Sequence, residues 1–151
     1  MENFGILRGH SRVRVDGSGR LKLPAVFARP MVESYGREVF FTSVTGDFGL
    51  VYPLKVWEEI EKKLLLAPSM FPSVKKYLAL TSYYGKVEAL DSKDRLLIPQ
   101  VLRETALLEG ELIILGKLNH LEVWNLERFR REIEAHPFTD EDAQRLAELG
   151  I

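Results

Sequence analysis

The chain is expected to be an α+β protein in which one β-hairpin unit is used twice, each copy completed by helices. Three observations lead there. The stretch from Val15 to Pro24 (Val-Asp-Gly-Ser-Gly-Arg-Leu-Lys-Leu-Pro) returns 75 residues later from Leu90 to Pro99 (Leu-Asp-Ser-Lys-Asp-Arg-Leu-Leu-Ile-Pro). Asp16 maps on Asp91, Arg20 on Arg95, Leu23 on Ile98 and Pro24 on Pro99, and a repeat this closely in step defines the architecture. The echo then continues, because Glu38 to Thr42 answers Glu111 to Leu115 and Leu50 to Leu54 answers Glu122 to Leu126. Finally, two units of about fifty residues bury too little surface to be stable separately. They are expected to share one core or to exchange strands.

Taken in order, Arg8, His10, Arg12 and Arg14 alternate with Ser11, Val13 and Val15, which predicts a strand with one basic side. Asp16 to Gly19 is dense in turn formers, and Gly19 supplies the positive φ that a hairpin turn often needs. Arg20 to Leu23 alternates again as the return strand, with Arg20 and Lys22 on one face. Pro24 suits the first position of a short helix, Ala25 to Ala28, which Pro30 is expected to interrupt. Strands at Val39 to Val44 and Leu50 to Tyr52 flank a turn at Gly46 to Gly49. From Leu54 to Leu66, Val56, Trp57, Ile60, Leu64 and Leu65 sit at helical spacing opposite a charged face. Two Pro-containing dipeptides then bracket a linker before a second helix, Ser73 to Tyr83.

The second copy repeats the order. Strands are expected at Lys86 to Leu90 and Arg95 to Ile98, a short helix near Val101 to Leu107, and strands at Leu112 to Leu115 and Leu121 to Trp124. A helix from Leu126 to Ala135 stops before Pro137. Thr139, with Asp142 three residues on, forms a capping-box pattern that opens a final helix, Asp140 to Leu149. The expected division is a first unit at 10–57, a helical linker at 58–84, a second unit at 85–129 and a C-terminal helical tail at 130–151.

Composition narrows the function classes. The 151 residues include no cysteine, which excludes disulfides and thiol nucleophiles and fits a reducing cytoplasm. No N-terminal apolar run is long enough for a leader or a membrane span. The net charge of −1 argues against a uniformly basic nucleic-acid binder, yet residues 8–29 carry a local net of +5 and residues 85–103 only +1. Charge gathered on one region is the footprint of a polyanion site, and equally of a solvated charged strand face. His10, His120 and His136 are scattered without ligand spacing, so neither a metal nor another cofactor is expected. Trp57, Phe129, Tyr52 and Trp124 are assigned to the core, and Tyr83 and Tyr84 to packing or interfaces rather than to base stacking. A Gly-rich phosphate loop and a nucleophile motif are both lacking, so no enzymatic activity or small-molecule substrate is expected.

With both motifs in view, the chain resembles the MraZ family, built from two tandem SpoVT/AbrB-type swapped-hairpin repeats. The family's Asp-x-x-Gly-Arg motif stands as Asp16-Gly17-Ser18-Gly19-Arg20 and Asp91-Ser92-Lys93-Asp94-Arg95, and its early Arg-Gly as Arg8-Gly9. Its Tyr-Pro-Leu-x-x-Trp stands as Tyr52 to Trp57, and its later run as Leu115 to Trp124. The resemblance spans about residues 6–135. It implies small β-barrel-like cores with flanking helices, and a bacterial regulator of the division and cell-wall gene cluster. Such a regulator would bind short direct repeats in double-stranded promoter DNA as a ring-shaped homo-oligomer, in the cytoplasm and at the nucleoid. The sequence departs from the pattern at Asp94, which replaces the motif Gly, and at Ser18, where Lys is usual.

On chemistry, a two-stranded ribbon fits the major groove, and Arg20 can pair bidentately with guanine or phosphate. Lys22, Arg12, Arg14, Arg8, Lys93 and Arg95 complete the candidate DNA-binding set, with Lys22, Arg12 and Arg14 as phosphate contacts that set register. The alternative for Arg20 is a brace to Asp16 or another carboxylate, and for Arg95 a structural role weighs at least as much. Asp16, Gly19 and Asp91 are assigned to the turns, since Asp accepts local backbone N–H groups. The extra carboxylate at Asp94 is expected to weaken phosphate contact beside Arg95. The competing function is a protein-interaction module related to AbrB-type antitoxins, which would act through the C-terminal helix.

Overall fold

The computed structural model describes residues 6–151; the first five, part of the stretch expected to hold no leader, lie outside the described residues. Both copies of the unit follow one order of elements. The first supplies β1 (His10–Arg14), β2 (Arg20–Lys22), α1 (Ala25–Tyr35), β3 (Glu38–Thr42) and β4 (Gly49–Pro53). Helices α2 (Leu54–Leu66) and α3 (Pro72–Tyr84) connect it to β5 (Lys86–Ala89), β6 (Arg95–Leu97), α4 (Gln100–Thr105), β7 (Glu111–Gly116) and β8 (Leu121–Asn125). Helices α5 (Leu126–Ala135) and α6 (Asp140–Ala147) complete the chain.

The alternation of β1 and β2 is present, but they do not pair with each other as a hairpin. Strand β1 pairs with β7 of the other copy, and β2 pairs with β6. Period-two patterning fixes which face of a strand is apolar and says nothing about its neighbour. The partner is decided by burial: Leu21 and Leu23 are fully enclosed together with Leu96 and Ile98. The six-stranded sheet runs β1-β7-β8-β4-β3-β5, all antiparallel. Its edge strands β1 and β5 lead into β2 and β6, whose pairing links the two edges into a barrel-like enclosure.

The exchange obeys a pseudo-two-fold axis that the repeat offsets foreshadow. Leu21 faces its own equivalent, Leu96, in the ribbon, and Leu50 faces Glu122 in β4–β8. Arg14 opposite Glu111 corresponds to Ala89 opposite Glu38. One core results, drawing Leu21, Phe27, Met31 and Phe41 from the first copy and Leu96, Leu102, Leu112 and Ile114 from the second. Each such side chain contributes about 1.5–3 kcal/mol by leaving water.

Helix α1 does not stop at Pro30; it continues to Tyr35 with the proline inside it. An interior proline costs about 3 kcal/mol. Phe27, Ala28 and Met31 are buried on the helix's inner face, and their burial outweighs that cost. Trp57 on α2 is buried among Phe40, Tyr52 and Tyr77, at ring separations of 4.7, 5.3 and 6.2 Å. Phe48 stacks on Trp124 at 4.4 Å in a smaller cluster that seats α5 through Leu126 and Phe129. The capping box of α6 is formed as the sequence indicates, with Thr139 and Asp142 bonding each other's backbone N–H groups. Helix α6 buries none of its residues.

Candidate nucleic-acid interface

The β2–β6 ribbon turns Leu21 and Leu96 into the core, so their neighbours face outward. Arg20 stands opposite Leu97 and Lys22 opposite Arg95, which places two arginines and a lysine on one outer face. At the two ends of that ribbon lie the repeated Asp turns.

In the first turn, Asp16 Oδ1 accepts hydrogen bonds from the Ser18 hydroxyl (2.7 Å), the Ser18 N–H (2.9 Å) and the Arg20 N–H (3.0 Å). The Ser18 hydroxyl and these N–H groups hold its carboxyl below the usual carboxylate range. Gly19 has φ +79°, a left-handed geometry that glycine adopts freely, and the Arg103 guanidinium lies against it. In the second turn, Asp91 Oδ1 accepts from the N–H groups of Lys93 and Arg95, both at 2.9 Å, and its Oδ2 accepts from Arg95 Nε at 2.8 Å. The Arg95 N–H first, with that of Lys93 and the Arg95 guanidinium, draws the Asp91 carboxyl down to about 2. Asp94 occupies the left-handed position at φ 60°, as Asp can.

The two motif arginines are held differently. Arg95 bonds Asp91, and its Nη1 lies 3.9 Å from Asp16 Oδ2, so it ties the two turns together. Arg20 donates from Nη1 to Ser18 Oγ at 3.1 Å, and no carboxylate pairs with it among the described residues. Lys22 and Lys93 are exposed. Arg12 and Arg14 are exposed on edge strand β1 and share Glu111 at 3.1 and 3.3 Å. Arg8 is exposed just before that strand.

Two residues that sequence reasoning did not single out also reach the turns. Arg37 donates from Nη1 to the Asp91 carbonyl (2.9 Å) and to Asp94 Oδ1 (3.2 Å), so the charge of Asp94 is met from within the protein. Arg103, on α4, lies over Gly19. Each arginine serves the turn of the opposite repeat, and no local pattern announces such a contact. Among the described residues, no three His, Asp or Glu side chains gather in a metal-holding group, and no helix is long and apolar enough to cross a membrane.

Comparison with known proteins adds a family context. A family model described as "MraZ protein, putative antitoxin-like" matches residues 86–149. The chain is 44% identical over 146 residues to a transcriptional regulator MraZ of Acidobacterium capsulatum, covering 97% of this chain and all of the relative. A transcriptional regulator MraZ of Koribacter versatilis is 41% identical over 147 residues with the same coverage. One from Chromobacterium violaceum is 31% identical over 124 residues, 82% of this chain and 84% of the relative.

Proposed function

The chain belongs to the MraZ family, and from that premise we propose that it is a sequence-specific DNA-binding transcriptional regulator. The target we assign is short direct repeats in promoter DNA of the division and cell-wall gene cluster, and the place of action the cytoplasm and nucleoid. The observation that carries the reading is the Arg20 guanidinium, which stands on the outer face of a two-stranded ribbon with no carboxylate partner among the described residues. A ribbon of this kind fits the major groove, where arginine bonds guanine O6 and N7 or a phosphate.

In this reading Arg20 reads the DNA and Lys22 contacts phosphate beside it. Arg12, Arg14, Arg8 and Lys93 set register on flanking phosphates. Arg95, committed to two aspartates, acts mainly as a brace, and Asp16, Gly19 and Asp91 shape the turns. The units at 10–57 and 85–129 supply the ribbon together, the helices of 58–84 join them, and the tail 130–151 serves contacts outside the fold. No catalytic step is assigned.

Self-association into a closed ring is part of the proposal. Leu65, Leu66, Met70, Phe71 and Leu78 on the α2–α3 hairpin are exposed, an apolar surface suited to another copy. Repeated ribbons would then gain affinity through multivalency despite the net charge of −1. The exposed Phe138, Leu149 and Ile151 of the tail favour, as a second reading, a protein partner.

The test is a salt-dependent binding titration on a promoter fragment holding direct repeats and on a scrambled control. Arg20→Ala is expected to lose about 1–3 kcal/mol of preference for the repeats. Arg95→Ala is expected to lower thermal stability more than sequence preference. If the wild type binds both DNAs equally weakly with no salt slope, the DNA reading is wrong and the tail's protein partner becomes the search.

A further inference from the structure

We propose that Arg103 is a phosphate-binding residue of the first turn, delivered to it by the second repeat. The proposal rests on the DNA reading above and adds a residue that lies outside the repeated motif.

The geometry begins with strand exchange, which places α4 beneath the Asp16–Gly19 turn. The Arg103 guanidinium lies against Gly19, so that a Cβ there would displace it, and it lines a shallow cavity of about 210 Å³ with Asp16, Gly17, Gly19 and Glu109. Its Nε is buried and meets no acceptor. A buried donor without a partner forfeits its hydration for nothing. Asp16 does not relieve it, because its Oδ1 is taken by three donors of its own turn and its Oδ2 lies toward Arg95.

The second turn shows what a satisfied version looks like. There the arginine from the opposite repeat is Arg37, and it bonds the Asp91 carbonyl and Asp94 Oδ1. Asp94 stands where the first turn has Gly19, Ala28 where the second repeat has Arg103, and Gly110 where the first has Arg37. Each turn therefore receives one guanidinium from its neighbour, but only the second supplies a carboxylate to bond it. At the first, the glycine that makes room for Arg103 also denies it an acceptor. The rest of the half-buried guanidinium borders the cavity with no ion pair among the described residues, and on a ribbon laid along DNA a backbone phosphate is the anion that can reach it there. Glu109 is exposed at the same cavity and is the carboxylate that competes with it.

The full chain carrying Arg103→Met or Arg103→Lys is titrated with direct-repeat and scrambled DNA at several salt concentrations, alongside wild type and Arg20→Ala. Arg103→Met is expected to lose about tenfold in affinity on both DNAs, with the slope of log K against log salt shallower by about one for each engaged subunit. Arg103→Lys restores the slope, since a point charge suffices for a phosphate. The ratio between the two DNAs stays at the wild-type value, whereas Arg20→Ala collapses it. If both Arg103 variants lower the melting temperature but keep the wild-type slope, Arg103 only supports the turn and the proposal is overturned. A wild type without a salt slope instead overturns the DNA reading itself.

Discussion

Asp91 concentrates more hydrogen bonding on one carboxylate than any other residue of the second turn, and that has a consequence in pH. Its folded value lies at about 2 against an ordinary 3.8. The unfolded chain therefore binds a proton more readily than the native one as the solution is acidified. The contribution is fully present above the ordinary value and is lost as pH falls through about 2. Chemical denaturation of the wild type is expected to show stability dropping through that window, and Asp91→Asn to lack that part of the drop while being less stable at neutral pH. A carboxyl resonance for Asp91 that titrates near 3.8 would contradict the brace. Asp16 is shifted in the same direction, chiefly by the Ser18 hydroxyl, so the two turns weaken together in acid.

At the scale of the element, the turns differ in how much charge they leave for a ligand. Asp94 consumes Arg37 and stands one residue before Arg95. Asp94→Gly suits the backbone, since φ 60° is comfortable for glycine. It removes one carboxylate and leaves the Arg37 guanidinium bonded only to the Asp91 carbonyl, its charge unpaired. DNA affinity is expected to rise several-fold with a steeper salt dependence, and stability to change by under about 1 kcal/mol because the lost ion pair is partly exposed. Unchanged binding would place the second turn away from DNA. The same turns mark how far the sequence was legible. Asp16 and Asp91 as backbone acceptors, helices α2 and α5 to the residue, and the Thr139–Asp142 box all follow from interactions within five residues. The partners of β1 and β2 do not, because alternation at Arg12, Val13 and Arg14 fixes faces without neighbours. Arg37 at Asp94 and Arg103 at Gly19 arise only once strands have been exchanged. Pro30 misled because a local penalty was outweighed by the burial of Phe27 and Met31.

For the whole molecule, the exchange means that neither repeat is complete alone. Only β3–β4 and β7–β8 pair within a repeat, while β1–β7, β5–β3, β4–β8 and β2–β6 each join one strand from each copy. A fragment of residues 1–70 therefore keeps Leu21 and Leu23 but loses Leu96, Ile98 and Leu112, against which they are buried. The pseudo-two-fold axis offers it one remedy. Glu38 is the equivalent of Glu111, so a second copy of the same fragment can present β3 to β1 in the register that β7 uses. Leu21 would then face Leu21 as it now faces Leu96. The expected outcome is a fragment whose folding depends on its own concentration, since the linker's effective concentration, in the millimolar range for a short tether, is gone. Mixed with residues 71–151, it should instead give a one-to-one complex in which Arg103 again meets Gly19 and Arg37 meets Asp94. Sedimentation and circular dichroism across a dilution series measure both. A fragment that unfolds cooperatively with a midpoint independent of concentration would mean that one repeat folds alone and that the exchanged strands are dispensable. Concentration-dependent folding would make the exchange the step that builds the core and the outward-facing ribbon together.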